Sequence, residues 1–172
     1  SPAKKVLSPC LPLYLTMLNS DSSANLALFL SQEVFIVAAK RTPIGAFQGK
    51  LASLQATQLG SIAIRACLEQ AGISGEHVDE VIFGNVLSAG EGQTPARQAA
   101  LNAGISKTTP CTTINKVCAS GMKALAWGTQ TIIAGDNDVV VTGGMESMSN
   151  VPYYQTRGMY SGNGFLASFC AF

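Results

Sequence analysis

The sequence has few charged residues and no concentration of basic ones. Charged side chains make up 12% of the 172 residues, and eleven lysines and arginines nearly balance ten acidic residues. Nucleic-acid binding needs a concentrated basic surface to neutralise phosphates, so that class of function is excluded. Hydrophobic residues reach 47%, which is unlike the composition of disordered chains. We therefore expect one folded domain with a real core.

The cysteines lack the spacing of a metal site or of a disulfide framework. They are odd in number, widely separated and include no C-x-x-C pair: Cys10, Cys67, Cys111, Cys118 and Cys170. Structural zinc sites use closely spaced cysteine and histidine ligands, whereas this sequence has a single histidine, His77. We expect neither a structural metal nor a disulfide framework.

The N-terminal region has no hydrophobic run long enough to cross a membrane. Its apolar stretch, residues 6–18, is shorter than the roughly 20 residues that a spanning helix needs, so no stable membrane insertion is predicted. Two lysines near the start and the absence of acidic residues before Asp21 are typical of a targeting leader. Arginine is missing before Arg41, so residues 1–32 are interpreted as a leader of undecided type or an unrelated extension.

The rest of the chain alternates between short apolar strands and helical segments. Strands are predicted at 33–39, 80–86, 112–115 and 138–142, and helices at 57–71, 95–103 and 118–134. Thr57 is predicted to cap the first helix and Gly72 to end it in the left-handed conformation, and strand 33–39 is expected to be buried. This order predicts an α/β fold with a mostly parallel sheet, because parallel strands need helical crossovers.

Three loops follow predicted strands, at 40–48, 87–94 and 115–120, where α/β sheets bind their ligands. The third loop contains Cys118, where a predicted strand has ended and a predicted helix begins. Unpaired backbone N–H groups and the helix dipole favour a thiolate there, and the same groups could receive an oxyanion. Unpaired cysteines are more often small buried packing residues, so the local pattern leaves both interpretations open.

Five segments of the sequence resemble the thiolase family. They are Arg-Thr-Pro-Ile-Gly at 41–45, Gly-Asn-Val-Leu at 84–87, Gly-Glu-Gly-Gln-Thr-Pro-Ala-Arg-Gln at 90–98, Thr-Ile-Asn-Lys-Val-Cys-Ala-Ser-Gly-Met-Lys-Ala at 113–124, and Gly-Gly-Met-Glu-Ser-Met-Ser at 143–149. Their order and spacing match the family from about residue 33 to residue 154. Within the family, the sequence is most similar to the mitochondrial acetoacetyl-CoA thiolases.

The resemblance implies an acyltransferase in which Cys118 is the nucleophile. Cys118 would accept an acyl group from acyl-CoA and pass it to a second CoA thioester, or run the reverse reaction, with ping-pong kinetics. The implied substrates are CoA thioesters, with no further cofactor and no metal. The implied location is the mitochondrion, with the cytoplasm as the alternative.

The resemblance also implies a fold and its divisions. Residues 33–157 correspond to a truncated N-terminal thiolase domain, a mostly parallel mixed sheet with helices on both faces and one half of a five-layered αβαβα fold. Residues 158–172 depart from the family pattern and are interpreted as a divergent tail. The second half of thiolases supplies two histidines and another cysteine to the site. We therefore expect this chain to be incomplete as a catalyst.

Several other residues near these loops are left outside the site. Arg41 and Arg97 are expected to be structural, and Asn85 receives no catalytic role. Met145, Glu146 and Met148 either line the acyl pocket or pack under a loop, with packing favoured. His77 lies between a helix and a strand and is expected to be a solvated loop residue.

The predicted helix at 118–134 is apolar around most of its circumference, which requires burial on all sides. Without the second half of a thiolase one face would lack its partner, which predicts self-association or pairing with thiolase subunits. An inactive module that binds thiolase subunits is therefore the alternative function. A thiol-redox protein is a weaker alternative, and it would require a disulfide between Cys111 and Cys118.

Overall fold

A computed structural model describes the backbone of residues 4–7 and the whole of residues 33–154. Within these residues the chain forms the strands β1 (Lys4–Leu7), β2 (Val34–Ala38), β3 (Glu80–Gly84), β4 (Cys111–Ile114) and β5 (Val139–Gly144). The helices are α1 (Ala56–Ala71), α2 (Pro95–Asn102) and α3 (Ser120–Ala134), with short 3-10 turns at Gly75–His77 and Met148–Asn150.

The strands form one sheet in the order β2-β1-β5-β3-β4, and every pairing in it is parallel. The crossovers from β2 to β3 and from β3 to β4 run in one direction along the sheet, whereas the crossover from β4 to β5 runs back. Right-handed connections then require α1 and α2 on one face and α3 on the other. The predicted parallel α/β sheet with helices on both faces is confirmed.

Each face of the sheet carries its own apolar cluster. On one face α1 and α2 pack against β3 and β5, with Ile64, Ala99, Phe83 and Val141 buried among them. On the other face, a smaller cluster joins α3 to the same two strands. Neighbouring strand residues point to opposite faces, so Ile82 and Val140 belong to the smaller cluster. The loops that follow the strands are thus attached to a sheet that is packed on both faces.

The helix boundaries agree with the sequence at one end of α1 and differ at the other. Gly72 ends α1 with φ of 64°, as predicted. The helix begins at Ala56, and the Gln55 backbone N–H donates to Oε1 of Gln58 at 2.8 Å. The prediction that Thr57 caps this helix is wrong, because Thr57 lies inside the first turn and is buried.

Strand β2 is correctly predicted as a strand but wrongly predicted as buried. Among the described strands it lies at the end of the sheet order, with β1 as its one neighbour. Phe35 and Ile36 are 46% and 47% exposed. An apolar β-branched run fits a central strand and an edge strand equally well, so the sequence alone could not distinguish them.

Strand β1 belongs to the segment interpreted as a leader or extension. Its backbone lies between β2 and β5, with Lys4 beside Val34 and Val6 beside Val140. The remainder of residues 1–32 and the tail at 158–172 lie outside the described residues, so their interpretation stays a prediction. No helix in the described part of the chain has the length and apolarity to cross a membrane.

Helix α3 is buried only along the stripe that faces the sheet. Ala124, Gly128 and Ile132 are buried, whereas Met122 is 56% exposed and Trp127 is 37% exposed. In the described part of the chain the other side of α3 is exposed, and its pairing with another subunit stays a prediction. The exposed residues are those on the side away from β3 and β5.

Candidate active site

The three loops selected from the sequence lie at the carboxyl edge of the sheet, and hydrogen bonds connect two of them to segments that follow other strands. The Gln48 N–H in the first loop donates to Ser149 Oγ beyond β5 at 2.8 Å. Asn115 Nδ2 in the third loop donates to the Val86 carbonyl, which follows β3, at 3.3 Å. These loops lie close together because all strands of a parallel sheet end at the same edge.

Cys118 lies in the turn between β4 and α3, with an exposed and unbonded thiol. The prediction that the helix begins at Cys118 is wrong by two residues, because α3 begins at Ser120. Val117 has a left-handed φ of 50°, and the Ala119 and Ser120 N–H groups bond back to the Lys116 and Val117 carbonyls, so these residues form turns before the helix starts. Cys118 therefore precedes the first turn of α3, where the helix dipole still favours negative charge.

The turn that carries Cys118 is held by side chains on both sides of it. Asn115 Oδ1 accepts the Val117 N–H at 2.9 Å. Ser120 Oγ accepts the Lys116 N–H at 2.8 Å and donates to the Val117 carbonyl at 2.6 Å. Ser120 is buried, so its two bonds are partly shielded from water, whereas the bond of Asn115 is exposed. The left-handed conformation of an exposed valine is thus fixed by its neighbours.

The start of α3 packs closely against the end of β3, next to the turn that carries Cys118. Gly84 ends β3, and a Cβ atom there would lie 2.6 Å from Ser120 Cβ and 2.7 Å from the Ser120 carbonyl carbon. Only glycine leaves room for this contact, because real Cβ atoms do not approach other atoms so closely. The end of β3 and the start of α3 are therefore in direct backbone contact beside Cys118.

The amides nearest the thiol are not all available to a ligand. The Ala119 N–H donates to the Lys116 carbonyl and the Ser120 N–H to the Val117 carbonyl, each at 3.1 Å. Among the described residues this leaves the N–H of Cys118 itself, together with those of Gly121 and Met122 in the first turn of α3, without a backbone acceptor. The Ala119 and Ser120 amides are not available to an oxyanion, whereas the Cys118 amide is.

Glu146, in the segment after β5, binds the loop that follows β3. Its Oε2 accepts the Val86 N–H at 3.0 Å, and its Oε1 accepts the Leu87 N–H at 3.0 Å and Asn85 Nδ2 at 3.2 Å. Carboxylates accept such charge-assisted bonds strongly. The sequence grouped Glu146 with packing methionines and missed this role; the available signal was a carboxylate directly after a strand that ends in Gly-Gly.

Two buried polar atoms lie beside this carboxylate without a hydrogen-bond partner in the described part of the chain. They are Asn85 Oδ1 and Glu91 Oε2, and Asn85 is only 2% exposed. Burial, followed by repulsion from Glu146, raises the pKa of the Glu91 carboxyl above its ordinary value. The site therefore disfavours the charged form of Glu91 relative to water.

A cavity of about 500 Å³ lies beside this edge, between the loop after β2, helix α1 and the end of β5. Apolar side chains line much of it, among them Phe47, Leu59 and Phe83, and Lys40 and Arg41 contribute cationic groups. Gly121 reaches its wall, but Cys118 does not line it. The cavity and the thiol therefore open on different parts of the same edge.

The other residues considered in the sequence analysis lie at the following positions in the fold. Met145 is buried in the larger apolar cluster, Met148 is 48% exposed, and both line the cavity together with Glu146, so the structure does not favour packing over pocket lining for these residues. Arg97 donates to the carbonyls of Lys107 and Thr109 and so has a structural role. His77 is exposed in the turn before β3, at the opposite edge of the sheet from Cys118, which confirms that it is a loop residue.

The other two described cysteines differ from Cys118 in their surroundings. Burial raises the pKa of the Cys67 and Cys111 thiols above the ordinary value. Cys111 begins β4 and Cys118 follows its end, so the strand itself separates them by roughly 10 Å. A disulfide needs Cα atoms within about 7 Å, which argues against the redox alternative.

The sequence of the chain decides its family. A sequence profile described as "Thiolase, N-terminal domain" matches residues 34–167, which is most of the chain. The chain belongs to the thiolase family. The motifs at 84–87, 113–124 and 143–149 all lie inside this match.

Relatives of this thiolase chain include mitochondrial acetyl-CoA acetyltransferases. Those of Xenopus tropicalis and Bos taurus are 62% and 63% identical over 126 residues, and that of Homo sapiens is 61% identical over 127 residues. The matches cover 73 to 74% of this chain and 30% of each relative. The chain thus spans about a third of the length of the curated relatives that it matches.

A solved thiolase has the same fold over the described region. The crystal structure of Acat5 thiolase from Ascaris suum in complex with coenzyme A aligns with a TM-score of 0.67 and 46% sequence identity. The alignment covers 69% of this chain and 31% of that chain.

Proposed function

We propose that the chain carries the acyl-accepting half of a thiolase site, with Cys118 as the nucleophile. The observation that carries this proposal is the position of Cys118, an exposed thiol in a rigid turn at the amino end of α3, within a chain of the thiolase family. The names of the mitochondrial relatives and the coenzyme A in the Ascaris suum structure support CoA thioesters as substrates and the mitochondrion as location.

In the first step the Cys118 thiolate attacks the carbonyl carbon of an acyl-CoA. A carbon–sulfur bond forms and the carbonyl becomes an oxyanion, which open backbone N–H groups at this turn, that of Cys118 among them, would receive. Collapse of the oxyanion breaks the bond to coenzyme A, which leaves as its thiolate and takes up a proton. The product is an acyl thioester on Cys118, and covalent catalysis of this kind divides one difficult transfer into two steps.

In the second step the acyl group passes to another CoA thioester, and the acetyl group is the proposed donor group because the relatives are named acetyl-CoA acetyltransferases. Deprotonating the second thioester requires a base, and the part of the chain that the structure describes offers no histidine at this edge. We therefore assign the complete cycle to an assembly in which further thiolase residues supply that base. No cofactor beyond the CoA thioesters enters this scheme.

The direct test is acetylation of the full chain by acetyl-CoA, mapped by peptide mass spectrometry. We expect acetyl on Cys118 in the wild type and in Cys111→Ser, and none at that peptide in Cys118→Ser. Cys111 is the matched control because it is a free thiol of the same chain whose pKa is raised by burial. Equal acetylation of Cys111 and Cys118, or no acetylation of a Cys118 that iodoacetamide modifies freely, would contradict the proposal.

The exposed apolar side of α3 favours a second candidate, a module that pairs with itself or with thiolase subunits. Met122 and Trp127 lie on this side, and apolar patches of this kind mark interaction surfaces. Sedimentation of the wild type and of Trp127→Gln, alone and with a complete thiolase subunit, tests it. Loss of association in the variant supports this candidate, and a monomeric wild type that ignores the subunit eliminates it.

A further inference from the structure

Glu146 and Cys118 are connected by an unbroken series of hydrogen bonds through the loop after β3. Glu146 Oε2 accepts the Val86 N–H at 3.0 Å. The carbonyl of Val86 accepts Asn115 Nδ2 at 3.3 Å, and Oδ1 of the same carboxamide accepts the Val117 N–H at 2.9 Å. Val117 is the residue bonded directly to Cys118. The Glu146 carboxylate is thus connected to the turn of Cys118 through Val86 and Asn115.

The Glu146 end of this series is anchored firmly. Its carboxylate accepts three hydrogen bonds from consecutive residues, two from backbone N–H groups and one from the buried carboxamide of Asn85. The Met145 N–H also donates to the Gly84 carbonyl at 2.9 Å, so the backbones of the two segments are joined next to the carboxylate. Bonds to a charged acceptor contribute more to stability than neutral ones, which makes this the stiffest link of the series.

At the other end of the series, the backbone conformation of Val117 is unfavourable by itself. A β-branched residue with φ of 50° is unfavourable by about 1–2 kcal/mol, and it persists only when its surroundings impose it. Val117 is 66% exposed, so packing does not impose it. The imposing contacts are those of Asn115 and Ser120. Asn115 in turn depends on the Val86 carbonyl for its orientation, because both ends of its carboxamide are bonded.

We propose that Glu146 is a positioning residue for Cys118, acting through Val86 and Asn115 on the left-handed backbone of Val117. It sets the direction of the thiol relative to the open backbone N–H groups at this turn, and it acts through the backbone of the turn. The catalytic part of this inference rests on the proposed role of Cys118, whereas the structural part does not.

The experiment compares Glu146→Gln with Glu69→Gln, which removes an exposed carboxylate on α1. Glutamine keeps one acceptor oxygen but turns an NH₂ group toward a backbone N–H, so one link is lost with little change of shape. We expect amide hydrogen exchange at Val117 to accelerate roughly tenfold in Glu146→Gln, on the scale of one hydrogen bond to a charged group. Exchange within α1 should stay unchanged, and Glu69→Gln should behave as the wild type at Val117.

The intermediate link is tested by Asn115→Asp. Aspartate keeps the acceptor for the Val117 N–H and loses the donor to the Val86 carbonyl. If the coupling runs through this donor, Glu146→Gln has no further effect on Val117 exchange in the Asn115→Asp background. Additive effects of the two substitutions would overturn the proposal, and so would unchanged Val117 exchange in Glu146→Gln. Asn115→Asp leaves the carboxylate of Glu146 in place and so gives a result even if Glu146→Gln does not fold.

A second measurement distinguishes a loss of thiol alignment at Cys118 from a general increase in the mobility of its turn. Acetylation by acetyl-CoA requires the thiol to be aligned with the oxyanion donors, whereas iodoacetamide needs only an accessible thiol. In Glu146→Gln the acetylation rate of Cys118 should fall roughly tenfold while its alkylation rate changes less than about twofold. Equal falls in both rates would overturn the positioning role. A wild type that is never acetylated would refute the proposed function, and the exchange experiment would still decide the hydrogen-bonded connection.

Discussion

The carboxamide of Asn115 accepts the N–H of Val117, two residues later, at 2.9 Å. This local turn carries Val117 into the left-handed region, with φ of 50°, and delivers the next residue, Cys118, to the surface before α3 starts. Asparagine is well suited to the position, because its short side chain can bond to the backbone two residues on. The geometry of the candidate site therefore begins with this pair.

The first prediction concerns the strain at Val117. We expect Val117→Gly to be more stable than Val117→Ala by about 1 kcal/mol, because glycine adopts positive φ without the Cβ clash that alanine keeps. Urea denaturation of the two variants measures the difference. Because the side chain is 66% exposed, either variant loses little buried surface. An alanine variant as stable as the glycine variant would show that the left-handed conformation is absent in solution.

The second prediction concerns the contact between Gly84 and Ser120. Gly84→Ala should lower the free energy of unfolding by about 1–3 kcal/mol, because the new Cβ would overlap the start of α3. It should also slow acetylation of Cys118, which lies just before the displaced residue. Gly121→Ala is the matched control for stability, since its nearest neighbour would be the Gly143 carbonyl oxygen at 3.7 Å. Similar losses in both variants would contradict the close approach at Gly84.

The third prediction concerns Glu91 and pH. Burial and the neighbouring Glu146 raise its pKa above the ordinary value of 4.5. The folded state therefore holds the proton more tightly than the unfolded state. The stabilisation is complete below pH 4.5 and is lost as the pH rises through the raised pKa. Glu91→Gln, which stays uncharged, should be more stable than the wild type at pH 7 and equally stable at pH 4.

Urea titrations at both pH values measure this effect, with Glu69→Gln as the control for an exposed carboxylate. The control should match the wild type at each pH. A Glu91→Gln variant that is less stable than the wild type at pH 7 would mean that the carboxylate is ionised and favourably bonded in the folded protein, contrary to its buried and unpartnered Oε2 atom.

Most strands and helices, and the loop that carries Cys118, could be predicted from the sequence because they depend on patterns of neighbouring residues. Apolar runs separated by helical segments imply parallel strands, and Gly72 marks the end of α1 through its left-handed backbone. Since parallel strands end at one edge, the same pattern also locates the loop of Cys118 beside the loops after β3 and β5. The thiolase motifs then assign a family to that arrangement.

Other features escaped the sequence because they depend on contacts between distant residues. Nothing in the run 33–39 distinguishes an edge strand from a central one, so the exposure of Phe35 and Ile36 was not predicted. Glu146 bonds to residues about sixty positions earlier, and no local pattern reports a partner at that separation. The start of α3 was misplaced for a similar reason, since side chains on both flanks impose the backbone of Val117.

The sequence by itself determined the α/β class, the thiolase membership and the edge of the sheet at which Cys118 lies, because period, turn chemistry and motif order are properties of neighbouring residues. Only the tertiary structure decided which strand is exposed, which amides remain open near the thiol, and that a carboxylate after β5 holds the turn after β3. Those features arise when segments far apart in the chain are brought within hydrogen-bonding distance by packing on both faces of the sheet.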